Sequence, residues 1–415
     1  MYKIEQIRIV FITTIRLIIS KFLTKFAINK ERVIHSIAHN IISPLGLSSA
    51  ENYAAVKAGK TELALYHSLY GLPESFVGSI IDSEKLNDAF LAINSKNGRY
   101  TKFEQAAILS AHNALQQTDI NPAAENVIFI LSTTKGNVHL LENSDGYEPE
   151  RIHLWRSAQL IAQFFGNQNE PFVISNACIS GASAQITAKR LLERKTYDYA
   201  IVIGADMLSK FVVSGFQSFK ALSPELCKPY DKNRCGLNLG EAAATIIYEH
   251  TEQALPKNSI VLSAGFMAND ANHISGPSRT GAGLYLAIKK TLSDTNIENI
   301  AFINAHGTAT AFNDDMESLA LTSANLQNCP VNSLKGYFGH TLGAAGVVES
   351  IISSLAMCDN TVLQTNNFTT PGTVAPINVT QENATCTKQQ FLKILSGFGG
   401  SNAALLFTKI TERHE

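Results

Sequence analysis

Cysteine is scarce and scattered in this sequence. Six cysteines (Cys178, Cys227, Cys235, Cys329, Cys358 and Cys386) occur in 415 residues, with no CxxC pair among them. That pattern argues against a disulfide scaffold and a structural zinc site, and it suits a reducing, cytoplasmic compartment. An excess of one charge is missing as well: the formal net charge is −1, and charged residues make up 17% of the chain. Nothing outside the N-terminus offers the basic stripe by which a protein grips nucleic acid. No low-complexity linker interrupts the sequence. A chain of this length implies roughly two or three domain-sized units, or one large duplicated α/β body.

A membrane-spanning run is also lacking near the N-terminus. Ile4, Ile7, Phe11, Ile15, Ile18, Phe22 and Phe26 recur at steps of three and four and line one face of a helix. Lys3, Arg8, Arg16, Lys21 and Lys25 surround that face, and Arg16 leaves only seven uncharged residues from Ile9 to Ile15. A spanning helix needs ~20. No small-residue cleavage site of the secretory kind follows. Residues 1–31 are therefore set apart as a basic amphipathic helix or extension. It docks on the protein or a partner, lies on a membrane surface, or is dispensable to the fold.

From residue 32 onward, strands alternate with helices. Val33 to Ile42 reads as a strand and Pro44-Leu45-Gly46 as a turn, with Ser48 or Ser49 capping the helix that follows. Phe103 to Gln116 has a helical period, Asn126 to Ser132 is a buried strand, and an apolar helix is expected around residues 151–165. Further strands are read at Tyr199–Gly204, Ala243–Tyr248 and Ser259–Gly265. The alternation implies mostly parallel sheets covered on both faces. The second half echoes the first in element order, from Ile300–Asn304 to the helix Gly343–Met357. The body divides into halves at 32–255 and 256–415.

Chemistry gathers in a few loops. Pro171 to Ser175 reads as a short buried strand, Asn176-Ala177-Cys178 as a tight turn, and Ile179 to Leu192 as a small-residue stretch becoming a helix. The amides of a helix's first turn favour a thiolate. The local pattern alone still favours a buried free cysteine. His306 and His340 each follow a strand in a glycine-flanked loop, where ligands bind in parallel α/β sheets. Taken singly, each is as readily structural. Lys335 precedes His340 by five residues, and Glu349, nine after it, is the candidate counter-charge. The cluster Gly397-Phe-Gly-Gly-Ser-Asn402 can bring a backbone N–H close to a substrate oxygen.

Five motifs in order then resemble the β-ketoacyl-[acyl carrier protein] synthases of the I/II type, over about residues 33–410. They are Asn176-Ala-Cys178; Pro229-Tyr-Asp-Lys-Asn-Arg-Cys-Gly236 with Gly240-Glu241; and Asn304-Ala-His-Gly-Thr308 with Asp314 and Glu317. Lys335 with Gly339-His-Thr-Leu-Gly-Ala-Ala-Gly346, and Gly397 to Asn402, complete the set. The resemblance implies a thiolase-like five-layered α/β/α/β/α fold with two duplicated halves, and decarboxylative condensation of carrier-bound acyl groups. It makes Cys178 the nucleophile and His306 and His340 the pair that promotes decarboxylation. Lys335 would order and polarise the His340 region, the amides of Cys178 and Phe398 would form the oxyanion hole, and Phe398 would gate. It further implies a dimer, homo- or hetero-, partnered by acyl carrier protein, with no cofactor beyond the carrier's phosphopantetheine and no metal.

Departures from the family pattern bear on chain length and pathway. Ser36-Ile-Ala-His39 stands where Thr-Gly-x-Gly is usual, and Thr133-Thr-Lys-Gly-Asn137 replaces a glycine-rich loop. Lys135 thereby counts against a simple apolar tunnel for long saturated chains, and a dedicated polyketide, pigment or polyene route is slightly favoured over fatty acid elongation. One rival is a catalytically silent chain-length partner in a heterodimer, which would lack the cysteine. Starter-type synthases and thiolases are the others, opposed by the His340 loop with Lys335 and by a final glycine cluster without cysteine.

Overall fold

The computed structural model describes residues 33–94, 98–273, 276 and 278–411. The amphipathic segment 1–31 lies outside them.

Ten strands form one sheet: β1 (Val33–Ile42), β2 (Val127–Ser132), β3 (Phe172–Ile174), β4 (Tyr199–Asp206), β5 (Ala242–Thr251), β6 (Ile260–Asn269), β7 (Ile300–Asn304), β8 (Val331–Asn332), β9 (Gln390–Gly397) and β10 (Ser401–Lys409). Their order is β8-β7-β9-β10-β6-β1-β5-β4-β2-β3. Each set of five repeats the order 3-2-4-5-1, with the fifth strand antiparallel to its two neighbours. The sets meet where β1 pairs with β6, at His35↔Val261 and Ser36↔Ile260.

The principal helices are α1 (Ser49–Lys57), α2 (Ser83–Leu91), α3 (Lys102–Leu115), α4 (Leu154–Phe164), α5 (Ser180–Glu193), α6 (Lys210–Ser218), α7 (Ala282–Thr291), α8 (Ala311–Ser323) and α9 (Ala345–Cys358). Helices α5 and α9 form the middle layer. Ile186, Val347 and Ile351 share one core with Ile130 and Val202 of the first strand set and Phe391 and Leu405 of the second. Outside, α2, α3 and α4 cover the first set, and α7 and α8 cover the second. Five layers result, because strands that pack helices on both faces must be apolar on both. Val127–Ser132 is buried at every position.

The two central helices approach closely because glycines face each other. A Cβ on Gly346 would lie 2.4 Å from the Ala182 nitrogen. That contact lets α5 and α9 carry the cysteine turn and the His340 loop to one place.

Two expectations of the fold fail. Five of the nine strand pairings are antiparallel, so the sheet is mixed rather than mostly parallel. The strand before Cys178 is not buried: it is the sheet edge, and Phe172 is 39% exposed. An edge strand has one pairing neighbour, so half of its backbone groups remain available. The helix expected from residue 151 starts at Leu154, after a single turn of 3₁₀ helix at Pro149–Ile152.

Candidate active site

The turn into α5 sets the position of Cys178. Ala177 adopts φ +45°, a left-handed conformation that costs a non-glycine residue roughly 1–2 kcal/mol. Ser180 Oγ accepts from the Asn176 N–H at 2.8 Å and donates to Ala177 O at 2.6 Å, so the strained residue is bracketed by its own helix start. From the other side, β9 presses in: a Cβ on Gly397 would sit 3.0 Å from the Cys178 nitrogen. The Phe398 N–H then faces the Cys178 sulfur.

The thiolate expected from the turn is not the resting form. Burial pushes the Cys178 thiol up to about 11, outweighing Lys335, Lys135 and the Phe398 amide, which pull it down. Desolvation wins because the sulfur sits inside the protein, where the turn's dipole competes with the full cost of a buried charge.

His306 follows β7, and its backbone is held by acids on α8. Glu317 accepts from the His306 N–H at 2.8 Å and the Gly307 N–H at 2.7 Å, while Asp314 accepts from the Thr308 N–H at 3.0 Å. Tyr230 also ties to both acids, by its N–H to Asp314 and its hydroxyl to Glu317. Tyr230 of the Pro229–Gly236 motif therefore braces the His306 loop, while Arg234, Cys235 and Gly236 line the same cavity as the histidines. Glu241 is likewise structural, accepting from Ile81 and Leu208 and pairing with Lys102 at 2.6 Å.

His340 is fixed from Asn238, whose carbonyl accepts its N–H at 2.7 Å. The Leu342 N–H reaches His340 Nδ1 at 3.3 Å, which makes Nδ1 the acceptor and leaves the proton on Nε2. The buried Nε2 has no partner among the described residues. The two imidazoles meet edge to face with centroids 5.0 Å apart. One donor or acceptor atom each from Cys178, His306 and His340 lie within 4.8 Å of one another. Burial, then the charge of Lys335, holds both imidazoles well below the ordinary histidine range, so both are neutral at pH 7. These three side chains form the only metal-ligating type of grouping among the described residues, but the ammonium groups beneath them oppose a cation there.

Lys335 is fully buried. Its Nζ donates to His306 O at 3.0 Å and pairs with Glu349, so its direct contact is with the His306 segment while its charge reaches the His340 ring as well. The three candidate residues open on a cavity of about 480 Å³, lined also by Phe216, Phe219, Thr308, Thr310 and Phe398. The Phe398 ring, 37% exposed, stacks on Phe216 at 5.9 Å and meets Phe219 edge-on at 5.4 Å. It lines the same cavity as the Cys178 sulfur.

The beta-ketoacyl synthase N-terminal domain family matches residues 33–254, and the C-terminal domain family matches residues 259–369. The chain belongs to the β-ketoacyl synthase family. It is a condensing enzyme of the acyltransferase class. Among its relatives, the 3-oxoacyl-[acyl-carrier-protein] synthase 2 of Coxiella burnetii is 29% identical over 89% of this chain and 97% of its own length. A 3-oxoacyl-[acyl-carrier-protein] synthase 2 of Vibrio harveyi is 33% identical over 60% of this chain and 64% of its own. In fold, the chain matches a structure of a ketosynthase in complex with its chain length factor from Xenorhabdus doucetiae, with a TM-score of 0.80 at 24% identity over 92% of this chain and 99% of that one.

Two site residues escape a reading of the synthase sequence. Asp206, at the end of β4, accepts from Thr133, Thr134, the Lys135 N–H and the Gly343 N–H. It thus binds the 133–137 loop to the His340 loop. The signal was an acid closing the apolar run Tyr199 to Ala205. Lys393 is the other, a fully buried lysine inside the apolar strand β9.

Lys135 does not line the cavity, but its charge bears on Cys178 and its Nζ turns back to Thr134 O at 3.4 Å. Lys135→Ile removes that charge near the sulfur and leaves the histidines untouched. The product length distribution is expected to change more than the rate of carbon dioxide release. An unaltered distribution across several primers would place Lys135 outside the acyl path.

Proposed function

We propose that the chain is an elongating ketosynthase in which Cys178 is the nucleophile and His306 and His340 drive decarboxylation. The observation that carries this reading is the convergence of one thiol and two neutral imidazoles within 4.8 Å at the base of one cavity. In the first step the sulfur attacks an acyl thioester brought by the carrier. The acyl–Cys178 bond forms, and the carrier's thiol leaves with the proton. In the second, the bond between the malonyl α-carbon and its carboxylate breaks, and carbon dioxide leaves. The electron pair is held as an enolate by the imidazole N–H donors. It then attacks the acyl carbonyl, a carbon–carbon bond forms, and the Cys178 sulfur departs and regains a proton. The Cys178 and Phe398 amides receive the oxyanion, and Phe398 swings between the two carriers' arms.

The reading requires no resident metal or cofactor, only carriers with phosphopantetheine arms. The complete triad disfavours a silent chain-length partner. A related ketosynthase subunit or a second copy fits the open edge of β3, where unpaired backbone groups can continue the sheet. All six cysteines are free, which supports a reducing, cytoplasmic setting. No helix among the described residues is long and apolar enough to cross a membrane. Between pathways, the charge of Lys135 bearing on Cys178 favours a dedicated polyketide or polyene route over saturated-chain elongation.

Intact-mass analysis after incubation with a panel of acyl-carrier proteins tests the reading. A mass increase on Cys178 is expected from at least one acyl group. Failure of every carrier to load the sulfur would leave the silent-partner reading standing.

A further inference from the structure

Lys393 is the only charge in Phe391-Leu-Lys-Ile-Leu395. Strand alternation turns Phe391, Lys393 and Leu395 toward the central helices, while Leu392 and Ile394 face α7 and α8. A buried ammonium there requires partners. Lys393 Nζ forms an ion pair with Glu349 Oε2 at 2.7 Å, and it donates to Asn304 O at 3.3 Å and Ile394 O at 2.8 Å. The other oxygen of Glu349 takes Lys335, which reaches His306 O. One carboxylate therefore holds two ammonium groups, and those two bind the carbonyls of alternate residues leading into the His306 loop.

A buried ion cluster is weak as a stabilising device, since apolar residues of similar volume often serve as well or better. Glu349 is already satisfied in charge by Lys335, so the second lysine adds positive charge beneath the imidazoles. We propose that Lys393 is a second positioning residue for the decarboxylation half-reaction: with Lys335 it brackets the Asn304–His306 segment on Glu349 and keeps cationic charge behind His306 and His340. The proposal rests on the elongating-ketosynthase reading above. The charged and titratable groups around the pair are Cys178 before α5, Asp206 on β4, Tyr230, Asp314 and Glu317 on α8, Lys335, Glu349 on α9 and Lys393 on β9, with Arg234, Cys235 and His273 lining the cavity. Burial first, and then Lys335 and Lys393, lower both imidazoles. Burial lowers Lys393 to about 8, so it is still mostly charged at pH 7, and neutral N–H donors backed by cations suit the negative charge that grows on an enolate.

Lys393→Met keeps the chain length, removes the charge and leaves Glu349 paired with Lys335. Carbon dioxide release from malonyl-carrier should fall roughly tenfold, less than the 10²–10³ lost with a direct donor. Acylation of Cys178, followed by intact mass, should change much less. The pH profile separates positioning from mere structure. Decarboxylation needs neutral imidazoles and is lost as pH falls through their pKa. Removing a cation raises that pKa, so the acid limb should move to higher pH, and Lys393→Arg should restore it. An acid limb that stays in place, or equal losses in both half-reactions, overturns the proposal. Should Lys393→Met not fold, Lys393→Gln carries the same test, since it keeps a hydrogen-bond donor without the charge. If the wild-type protein itself takes no acyl group, the ketosynthase reading has failed instead.

Discussion

Cys178→Gln should release carbon dioxide from malonyl-carrier while making no condensation product. Acyl transfer requires the sulfur, because only an ionisable soft nucleophile can both accept a thioester and give the acyl group up again. Decarboxylation requires only that the enolate be stabilised, and in the proposed mechanism the donors for that are His306 and His340. Glutamine removes the nucleophile but keeps a polar group of plausible size beside the Cys178 and Phe398 amides. It also removes a thiol whose ionisation burial resists, with its pKa pushed up to about 11. Condensation should therefore fall to background and the acyl adduct should vanish from the intact mass. Labelled carbon dioxide should remain measurable in the absence of an acyl primer. Product from the glutamine variant above that of a no-enzyme control would show that Cys178 is not the acyl acceptor.

The same sulfur shows where sequence reasoning reached and where it stopped. Local propensity located β1 and the turn before α5 closely, since an apolar run between turn residues has few alternatives. The duplicated strand order was legible only as an echo, because pairings such as His35↔Val261 join residues far apart in sequence. Cys178, His306 and His340 could be named from their loops, yet the state of the thiol could not. Helix-dipole reasoning favours the thiolate, and burial, a property of the assembled layers, reverses it. Phe172 was misjudged for a similar reason, as an apolar strand gives no sign of lying at a sheet edge. Lys393 and Asp206 went unremarked because one polar residue in an apolar run carries no label for its partner. Glu349 and the 133–137 loop supply those partners from other layers.

His306→Ala and His340→Ala should divide the reaction the opposite way from Cys178→Gln. Each variant should still take an acyl group onto Cys178, because the Phe398 amide and the turn before α5 hold the sulfur independently of either ring. Each should lose carbon dioxide release by on the order of 10²–10³, the typical cost of one oxyanion donor. The two are not equivalent. His340 Nδ1 accepts from the Leu342 N–H, which fixes its outward proton on Nε2. An amide-for-imidazole change at His340 should therefore retain part of the rate if it still donates. His306 lies over the Lys335 contact, and its loop is anchored through backbone N–H groups on Glu317, so alanine there should remove the ring without releasing the loop. The measurements are labelled carbon dioxide release and intact protein mass for each variant. Histidine variants that decarboxylate normally but cannot be acylated would reverse the assignment and make the imidazoles the partners of the thiol's attack.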